Sequence, residues 1–382
     1  MSYLEKLLNE AKFEWKNLSD VARIKNGKDH KSLGEGKFPV YGSGGIMRYA
    51  DNYAYNKSSV LIPRKGSLGN LFFVDVPFWT VDTIFYTEID EAQIRPKYLY
   101  YFLTTVGLGD MNQAGGVPSQ TQSVLNKLKI PVPCPDNPEK SLAIQSEIVR
   151  ILDKFTALTA ELTAELNIRK KQYNYYRDKL LSFEEDEVEW KTLEEVSTFA
   201  NGKGHEKDIS KDGKYIVVNS KFISTDGEVA KFSNKQLCPL FKDDILLVMS
   251  DLPNGKALSK TFIIDEDHKY TLNQRIGGIT VKNSNELLPK FLHYFLNRTP
   301  QLLKHDNGVD QTNLRKGQIL EVKVPMISLI KQVQIVEILD KFDTYTKSIS
   351  EGLPREIELR QKQYEYYRDL LFSFPKPDTV NQ

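Results

Sequence analysis

The amino-acid sequence predicts an α+β protein: two tandem mixed α/β domains separated by two long helices that pack as an antiparallel coiled-coil pair, with pseudo-two-fold symmetry. Three observations predict this fold. Segments of the first half recur in the second half, two long segments have helical periodicity, and short β-rich segments fill the remaining regions. A chain of 382 residues is also long enough for two or three domains.

The repeated segments keep the same order in both halves. The sequence IVRILDKF at Ile148–Phe155 recurs as IVEILDKF at Ile335–Phe342, and KQYNYYRDKLLSF at Lys171–Phe183 recurs as KQYEYYRDLLFSF at Lys362–Phe374. Shorter pairs are EWKNL and EWKTL, each followed by NGK, and YLYYFL and FLHYFL. The separation of the copies is far longer than the period of roughly 20–50 residues typical of solenoid proteins, so the pattern indicates a tandem domain duplication.

The copies define five predicted segments. They are an N-terminal helix (1–14), a first block (15–135), a central connector (136–189), a second block (190–327) and a C-terminal connector (328–382). The connectors are alike and the blocks differ, so we expect the blocks to perform different versions of one task. The N-terminal YLEKLLNEAKFEWKNL resembles the exit of the central connector, YRDKLLSFEEDEVEWKTL. We therefore expect the N-terminal helix to complete a closed arrangement in which the two termini are neighbours.

The central connector has no Pro or Gly between Ser141 and Phe183, and its apolar residues recur at three- and four-residue spacings. A helix of about 40 residues is roughly 60 Å long and cannot bury such a stripe alone. The second connector, from about Leu329 to Phe374, has the same stripe but contains EGLP at Glu351–Pro354, where Gly and Pro should break or kink the helix. The alternative is that each helix is only the last element of its own domain.

The blocks contain short apolar segments bounded by Gly, Pro or Asp, which predict strands. In the first block they are SSVLIPR, NLFFVDV and TIFYTEI, and in the second they are YIVVNS, DDILLVMS, KTFIID and GGITV. The segments YLYYFLTT and FLHYFLNR predict helices that pack on the sheets.

Composition and charge narrow the class of protein. The two cysteines, Cys134 and Cys238, lie far apart and in no CxxC pair, so the sequence predicts neither a disulfide framework nor a zinc site. The charged N-terminus is unlike a signal peptide and no apolar run is long enough to span a membrane, so we expect a soluble, cytoplasmic protein. The first block has 14 Lys and Arg against 10 Asp and Glu, the second 20 against 17, and the central connector 8 against 12.

The sequence has no recognisable catalytic constellation. It contains no phosphate-binding GxxxxGK[ST] loop, no GxGxxG after a strand, no glycine-rich cofactor loop paired with an Asn/Asp-Pro-Pro-Tyr/Phe segment, and no HExxH or GxSxG motif. The five histidines are scattered, which is typical of surface or packing residues. We therefore predict no catalytic site and no bound metal.

The loops of both blocks are rich in glycine and in polar side chains that suit DNA. Arg and Lys match guanine edges, Asn and Gln match adenine, and Ser, Lys and backbone N–H groups match phosphates. Polarity is common to all loops, but the same loop positions have different polar sets in the two blocks. The candidate DNA-binding residues are Tyr41, Ser43, Arg48, Arg64, Lys65, Gln113 and Gln122 in the first block, and Lys203, Asn219, Lys221, Asn254, Lys256, Gln274, Arg275, Gln311 and Arg315 in the second.

Two variable blocks, each followed by a similar helix, resemble the specificity (S) subunit of type I restriction–modification enzymes. VYGSGGI, LIPRKGSLGN and WTVDTIFY are similar to the first recognition domain of such subunits, LNQRIGGI is similar to a segment of other recognition domains, and both connectors resemble the IC group. The resemblance implies a non-catalytic subunit that recognises a bipartite, asymmetric double-stranded DNA site. It also implies assembly with two modification (M) and two restriction (R) subunits, which supply the S-adenosylmethionine, ATP and Mg chemistry.

The sequence TAELTAEL at Thr159–Leu166 repeats one tetrapeptide. Members of the IC group differ in the number of such units, and the resemblance implies that this number sets the spacer between the half-sites. Four residues lengthen a helix by about 6 Å, while DNA rises about 3.4 Å per base pair, so one unit corresponds to one or two base pairs. The predicted ruler residues are Thr159, Leu162, Thr163 and Leu166.

Three alternatives stay open at this point. The chain could be an enzyme that modifies or cuts DNA by itself, against which the missing motifs argue. It could be a coiled-coil scaffold without a nucleic-acid role, against which the two divergent basic blocks argue. It could also be the specificity subunit of a related restriction system. The repeated Tyr-Tyr-Arg sequences at 175–177 and 366–368 either dock M subunits or pack within the connector pair.

Overall fold

A computed structural model of the chain describes residues 11–111, 116–253, 255–347 and 352–374. The chain divides into two compact units: unit 1 contains Met1–Glu165 and Pro354–Gln382, and unit 2 contains Leu166–Leu353. Residues 1–10 of the predicted N-terminal helix lie outside the described residues, and its predicted last two residues, Phe13 and Glu14, belong to a strand instead. No helix among the described residues is both long and apolar enough to cross a membrane.

The first block consists mainly of antiparallel sheet with short helices. Its elements are β1 (Phe13–Asn17), α1 (Leu18–Val21), β2 (Ala22–Asn26), β3 (Glu35–Gly42), β4 (Gly45–Ala50), β5 (Ser59–Pro63), β6 (Phe72–Val74), β7 (Trp79–Thr80), β8 (Ile84–Ile89), α2 (Pro96–Leu103), a 3-10 turn (Leu108–Asp110), α3 (Gln122–Leu125) and β9 (Lys129–Pro133). The strands form a four-stranded sheet, β2-β8-β5-β6, a three-stranded sheet, β4-β3-β7, and the pair β1-β9. Strand β5 is buried along its whole length, in agreement with its nearly continuous apolar sequence.

A single helix, α4 (Pro138–Leu180), follows the first block and crosses from unit 1 into unit 2 between Glu165 and Leu166. The second block contains β10 (Glu189–Thr192), α5 (Leu193–Val196), β11 (Ser197–Asn201), β12 (Tyr215–Val218), α6 (Ser220–Ser224), β13 (Lys231–Ser233), β14 (Ile245–Val248), β15 (Ser250–Asp251), β16 (Thr261–Ile263), β17 (Tyr270–Leu272), β18 (Ile276–Val281), α7 (Pro289–Leu296), α8 (Pro300–Leu303), β19 (Thr312–Asn313), α9 (Lys316–Leu320) and β20 (Lys323–Met326). Helices α10 (Leu329–Lys347) and α11 (Leu353–Leu371) complete the described chain.

The sheets of the two blocks have the same connectivity. The sheet β11-β18-β14-β16 of the second block corresponds to β2-β8-β5-β6 of the first, and β13-β12-β17 corresponds to β4-β3-β7. The pair β10-β20 corresponds to β1-β9, and the second block has one additional pair, β15-β19. The strands and helices predicted from the apolar segments are confirmed, and the repeated sequences encode repeated topology.

The second connector forms two helices, α10 and α11, as the predicted break requires; Ser348–Glu351 lie outside the described residues. In unit 1 the first half of α4 shares a core with α11, and Phe155 stacks on Tyr367 with ring centroids 5.2 Å apart. In unit 2 the second half of α4 packs antiparallel to α10. Arg169 lies over Tyr345, and about two turns later in α4 Tyr176 stacks on Phe342, which is about one turn earlier in α10.

Each block is fastened to a connector helix by a fully buried glutamine. In unit 1 the side-chain oxygen of Gln145 accepts a hydrogen bond of 2.7 Å from the backbone N–H of Arg95. In unit 2 Gln332 accepts one of 2.8 Å from the backbone N–H of Leu288. Arg95 and Leu288 are the N-cap residues of α2 and α7, and neither helix has a cap from its own side chains. The glutamines therefore satisfy backbone donors that a helix start leaves unpaired.

Eight residues after each glutamine an aspartate makes a second attachment. Asp153 accepts a hydrogen bond of 2.7 Å from the hydroxyl of Tyr101, and Asp340 accepts one of 2.6 Å from the hydroxyl of Tyr294. Each aspartate also forms an ion pair with a lysine one turn earlier on the same block helix, Lys97 and Lys290 respectively. The blocks are thus fixed to the helices by the same polar contacts in both units.

The two ends of the described chain meet in unit 1. Phe13, at the start of β1, stacks on Phe374 with ring centroids 4.2 Å apart. Phe374 also joins Leu371 and Phe372 in the core of the first block. The first ten and last eight residues lie outside the described part, so the expectation that the termini themselves are neighbours stays a prediction.

Candidate nucleic-acid interface

Four segments of the first block meet at one end of its four-stranded sheet. We define the first junction as residues 26–28 after β2, 64–65 after β5, 81–83 before β8 and 118–122. The backbone N–H groups of Arg64 and Lys65 donate to the carbonyl of Thr83 over 2.8 and 3.2 Å, and the N–H of Gln120 donates to the carbonyl of Arg64 over 3.0 Å. Backbone hydrogen bonds therefore fix these loops relative to one another.

Side-chain hydrogen bonds also connect the loops of the first junction. The buried amide of Gln120 donates to the carbonyl of Pro63, and the amide of Gln122 donates to the side chain of Asn26 over 3.1 Å. Gly27 is required at its position, because a Cβ atom there would lie 1.9 Å from the carbonyl oxygen of Val81. The junction is a closely packed backbone scaffold.

The second block has an equivalent junction. We define the second junction as residues 201–203 after β11, 249–251 after β14, 273–275 between β17 and β18, and 311–315. The N–H of Met249 donates to the carbonyl of Arg275 over 3.1 Å, and the N–H of Leu314 donates to the carbonyl of Met249 over 2.7 Å. A Cβ atom on Gly202 would lie 1.9 Å from the carbonyl oxygen of Asn273, as at the equivalent glycine of the first block.

These hydrogen bonds define which residues correspond. Arg64 corresponds to Met249 because each donates its N–H to the turn that precedes the next sheet strand. It follows that Thr83 corresponds to Arg275. The residues that follow Arg64 and Met249 also correspond, because each pairs antiparallel with the last segment of its junction. Lys65 pairs with Ser119, and Ser250 pairs with Asn313. The two junctions share a backbone and differ in side chains.

Exposed cations are present at both junctions. Lys28 and Lys65 are exposed in the first, and Lys203, Arg275 and Arg315 are exposed in the second. Within the described ranges, the ammonium of Lys65 and the guanidinium of Arg275 have neither a hydrogen bond nor an ion pair. Charges without protein partners are available to a polyanion.

The opposite end of the sheet in the first block is acidic. A surface cleft beside the start of β2 and the end of β8 is lined by Asp20, Glu88, Asp90 and Glu91, with Arg23 and Lys57 as the cations. The block therefore has a positive end at the junction and a more negative end opposite. This polarity favours an approach of DNA to the junction.

Nine of the sixteen candidate residues lie at or beside one of the two junctions. Those at or beside the two junctions are Ser43, Arg64, Lys65, Gln122, Lys203, Gln274, Arg275, Gln311 and Arg315. Gln274 donates to Glu206 over 2.6 Å, and Gln311 donates to the hydroxyl of Ser250 over 2.8 Å. Lys221 and Lys256 are exposed on neighbouring segments of the second block.

Three other candidate side chains are engaged inside the protein. Tyr41 packs against the rings of Phe72 and Phe78, and burial raises the pKa of its hydroxyl. The guanidinium of Arg48 donates to the carbonyls of Leu33 and Gly34 over 2.8 and 2.9 Å.

The side chain of Asn219 accepts a hydrogen bond of 2.9 Å from the N–H of Phe222 and caps α6. Gln113 and Asn254 lie outside the described residues.

Several junction residues were absent from the candidate set. They are Asn26, Lys28, Thr83, Ser119 and Asn313. Lys28 could have been identified from the repeated NGK sequence, because the lysine of the second copy is the candidate Lys203. No local pattern distinguishes Thr83, Ser119 or Asn313, since their proximity depends on how the sheet connects the loops.

The predicted ruler residues lie in α4 where unit 1 gives way to unit 2. The hydroxyls of Thr159 and Thr163 donate to backbone carbonyls one turn earlier, over 2.9 and 2.7 Å. Leu162 and Leu166 are half-buried, and the boundary between the units precedes Leu166. The helix is continuous through both tetrapeptides.

Comparison with known proteins gives a consistent result. The family model of the type I restriction modification DNA specificity domain matches twice, at residues 10–169 and 185–359. A type I restriction enzyme specificity subunit from Escherichia coli is 42% identical, with 100% of this chain and 99% of the relative covered. A second such subunit from Escherichia coli is 31% identical over 92% of each chain.

A solved structure has the same fold. The crystal structure of a type I restriction–modification system S subunit from M. genitalium superposes with a TM-score of 0.59 and 19% identity, covering 98% of this chain and 100% of that one. Two matches to the family model, the whole-length identity and the fold agree with the duplicated architecture described above. The chain belongs to the family of type I restriction–modification specificity subunits.

Proposed function

We propose that each block recognises one half of a bipartite, asymmetric DNA site and that the chain directs partner subunits to it. The observation that supports this most directly is the pair of equivalent junctions. Both present exposed cations and amides on a fixed backbone, and the side chains differ at corresponding positions. Recognition of two unlike half-sites requires such a combination of common geometry and different chemistry.

The proposal also includes a role for connector length, which sets the gap between the half-sites. The continuous helix α4 supports this role. Removal of Thr163–Leu166 would delete one tetrapeptide and shorten the helix by about 6 Å, which corresponds to one or two base pairs. The flanking residues can continue the helix, because the deleted turn is preceded by one of the same sequence.

The partners in this proposal are two M subunits and two R subunits. The M subunits supply S-adenosylmethionine for adenine methylation, and the R subunits supply ATP- and Mg-dependent cleavage. In each repeated Tyr-Tyr pair one ring stacks on a phenylalanine of another helix and the other ring is more exposed. Tyr176 and Tyr367 stack on Phe342 and Phe155 and are 44% and 39% exposed, whereas Tyr175 and Tyr366 are 61% and 64% exposed. The outer tyrosines provide a repeated docking surface for two copies of one partner.

The test is a map of adenine methylation in DNA from cells that express the chain with its M partner. The expected result is a split motif of two unlike half-sites with a fixed gap. Deletion of Thr163–Leu166 should shorten the gap and preserve both half-sites. A contiguous motif, or no methylation from an assembled complex, would contradict the proposal.

A further inference from the structure

The two junctions differ in where they place an unpaired cation, and this difference bears on base recognition. We infer that Lys65 in the first block, and Arg275 with Asn313 in the second, are the side chains that discriminate bases in the two half-sites. This inference rests on the proposed function. It adds the residues that determine specificity.

The first step is the equivalence of backbone positions. Lys65 is exposed, whereas its counterpart Ser250 is buried and is hydrogen-bonded to Gln311. Conversely, Arg275 is exposed, whereas its counterpart Thr83 is half-buried and accepts a hydrogen bond from the N–H of Ser43. One of the exposed cations of each junction therefore lies on a different loop of the same scaffold in the two blocks.

The second step is the fixed position of Arg275. Its φ angle of +67° lies in the left-handed region, which glycine and asparagine adopt at lower cost than arginine. The carbonyl of Arg275 accepts a hydrogen bond from the N–H of Met249. Two residues earlier, Asn273 donates its N–H to the carbonyl of Val218 over 3.2 Å. A tight turn that retains arginine in a strained conformation is a sign of a functional side chain.

The third step is chemistry. Arginine and lysine bind the O6 and N7 atoms of guanine, and asparagine binds N6 and N7 of adenine. Asn313 is exposed and pairs through its backbone with Ser250, next to the segment bonded to Arg275. We therefore expect a guanine and an adenine in the half-site of the second block, and a guanine opposite Lys65 in the other half-site.

The test compares methylation maps of complexes containing the variants Arg275→Gly, Asn313→Ala and Lys65→Ala. Arg275→Gly and Asn313→Ala should each relax one position of one half-site, with discrimination reduced about tenfold or more. Lys65→Ala should relax only the other half-site. The gap should be unchanged in all three, and Arg275→Gly should not lower the unfolding temperature because glycine relieves the strained turn.

Matched controls come from the opposite ends of the same strands. Lys57 precedes β5 whereas Lys65 follows it, and Lys242 precedes β14 whereas the second junction follows it. Lys57→Ala and Lys242→Ala remove an exposed positive charge from the same blocks. Both should leave the motif unchanged.

A variant that abolishes methylation would be examined by binding of the purified complex to duplexes with single base-pair changes, over a range of salt concentrations. Loss of discrimination with an unchanged salt dependence supports the inference. Uniform weakening on all duplexes, with the salt slope reduced by about one, indicates a phosphate contact and overturns it. Unaltered motifs in all three variants also overturn it, while a split wild-type motif would leave the proposed function intact.

Discussion

The fully buried side chain of Gln145 accepts a hydrogen bond of 2.7 Å from the backbone N–H of the partly buried Arg95. The amide group of Gln145 also donates to the carbonyl of Gln93 over 3.0 Å. The contact joins the start of a block helix to the connector, and unit 2 repeats it with Gln332 and Leu288. A buried side chain that satisfies backbone groups on another element fixes the relative position of both.

Replacement of Gln145 by Met should lower the free energy of unfolding by about 2–4 kcal/mol, because the partly buried N–H of Arg95 and carbonyl of Gln93 lose their side-chain partner. Gln332→Met should have an effect of the same size. Urea unfolding of the purified chain or complex measures both. The control is Gln334→Met on α10, where the side chain is exposed and a change below about 0.5 kcal/mol is expected. Equal effects at positions 332 and 334 would contradict the assigned role.

Phe374→Ala should destabilise unit 1 by about 3 kcal/mol, because the ring is buried and stacks on Phe13. The neighbouring Ser373 is exposed and provides the control substitution Ser373→Ala. Thermal unfolding of both variants gives the comparison. A Phe374→Ala variant as stable as wild type would show that the segment after α11 is dispensable for the first block.

Alkaline pH should destabilise the attachment of the blocks. Burial is the largest cause that raises the pKa of Tyr101 and of Tyr294 above the ordinary value of 10.0, and hydrogen bonds to Asp153 and Asp340 add to it. The folded state holds these protons more tightly than the unfolded state. The contribution to stability is therefore complete below pH 10 and is lost as the pH rises above 10.

The variant Tyr101→Phe should weaken this pH dependence and should cost about 1 kcal/mol at neutral pH, because it removes one hydrogen bond. Unfolding measured at several pH values between 8 and about 11 tests both effects. Tyr175→Phe, at an exposed position on α4, should change neither. An identical loss of stability at alkaline pH in wild type and in Tyr101→Phe would contradict the assignment of this pH dependence to the hydroxyl of Tyr101.

Gly202→Ala should disrupt the second junction, because the added methyl group would overlap the carbonyl of Asn273 and force the two loops apart. We expect a loss of stability of about 1–3 kcal/mol, together with impaired recognition of one half-site. Gly27→Ala should do the same for the other half-site. Gly44 and Gly317 have open space where a Cβ atom would lie, and they provide the control alanine substitutions. Methylation maps should separate the four variants.

The sequence was sufficient to predict the duplicated domains and the connector helices, because both are encoded by local patterns. The strand over Ile245–Val248 follows from a continuous apolar run, and the long α4 follows from periodicity without Pro or Gly. The break before α11 follows from Gly352 and Pro354. Periodicity and breakers act over a few residues and need no knowledge of tertiary structure.

The junctions could not be predicted in the same way. Lys65 and Ser119 are distant in sequence and are adjacent only because the last loop returns to the end of β5. Arg48 is of a residue type that commonly binds DNA, but its guanidinium donates hydrogen bonds to carbonyls of a neighbouring loop. Asn219 could have been recognised as a helix cap from the residues that follow it. Loop polarity alone does not separate these roles.

Unit 1 is assembled from two separate stretches of chain, whereas unit 2 is a single uninterrupted stretch. The core of the first block includes Ile144 and Ile148 on α4 and Leu371 on α11, with all of unit 2 between them in the sequence. Contacts with such large sequence separation form late, because closing a long loop is slow. During synthesis the second block therefore has all of its core available before the first.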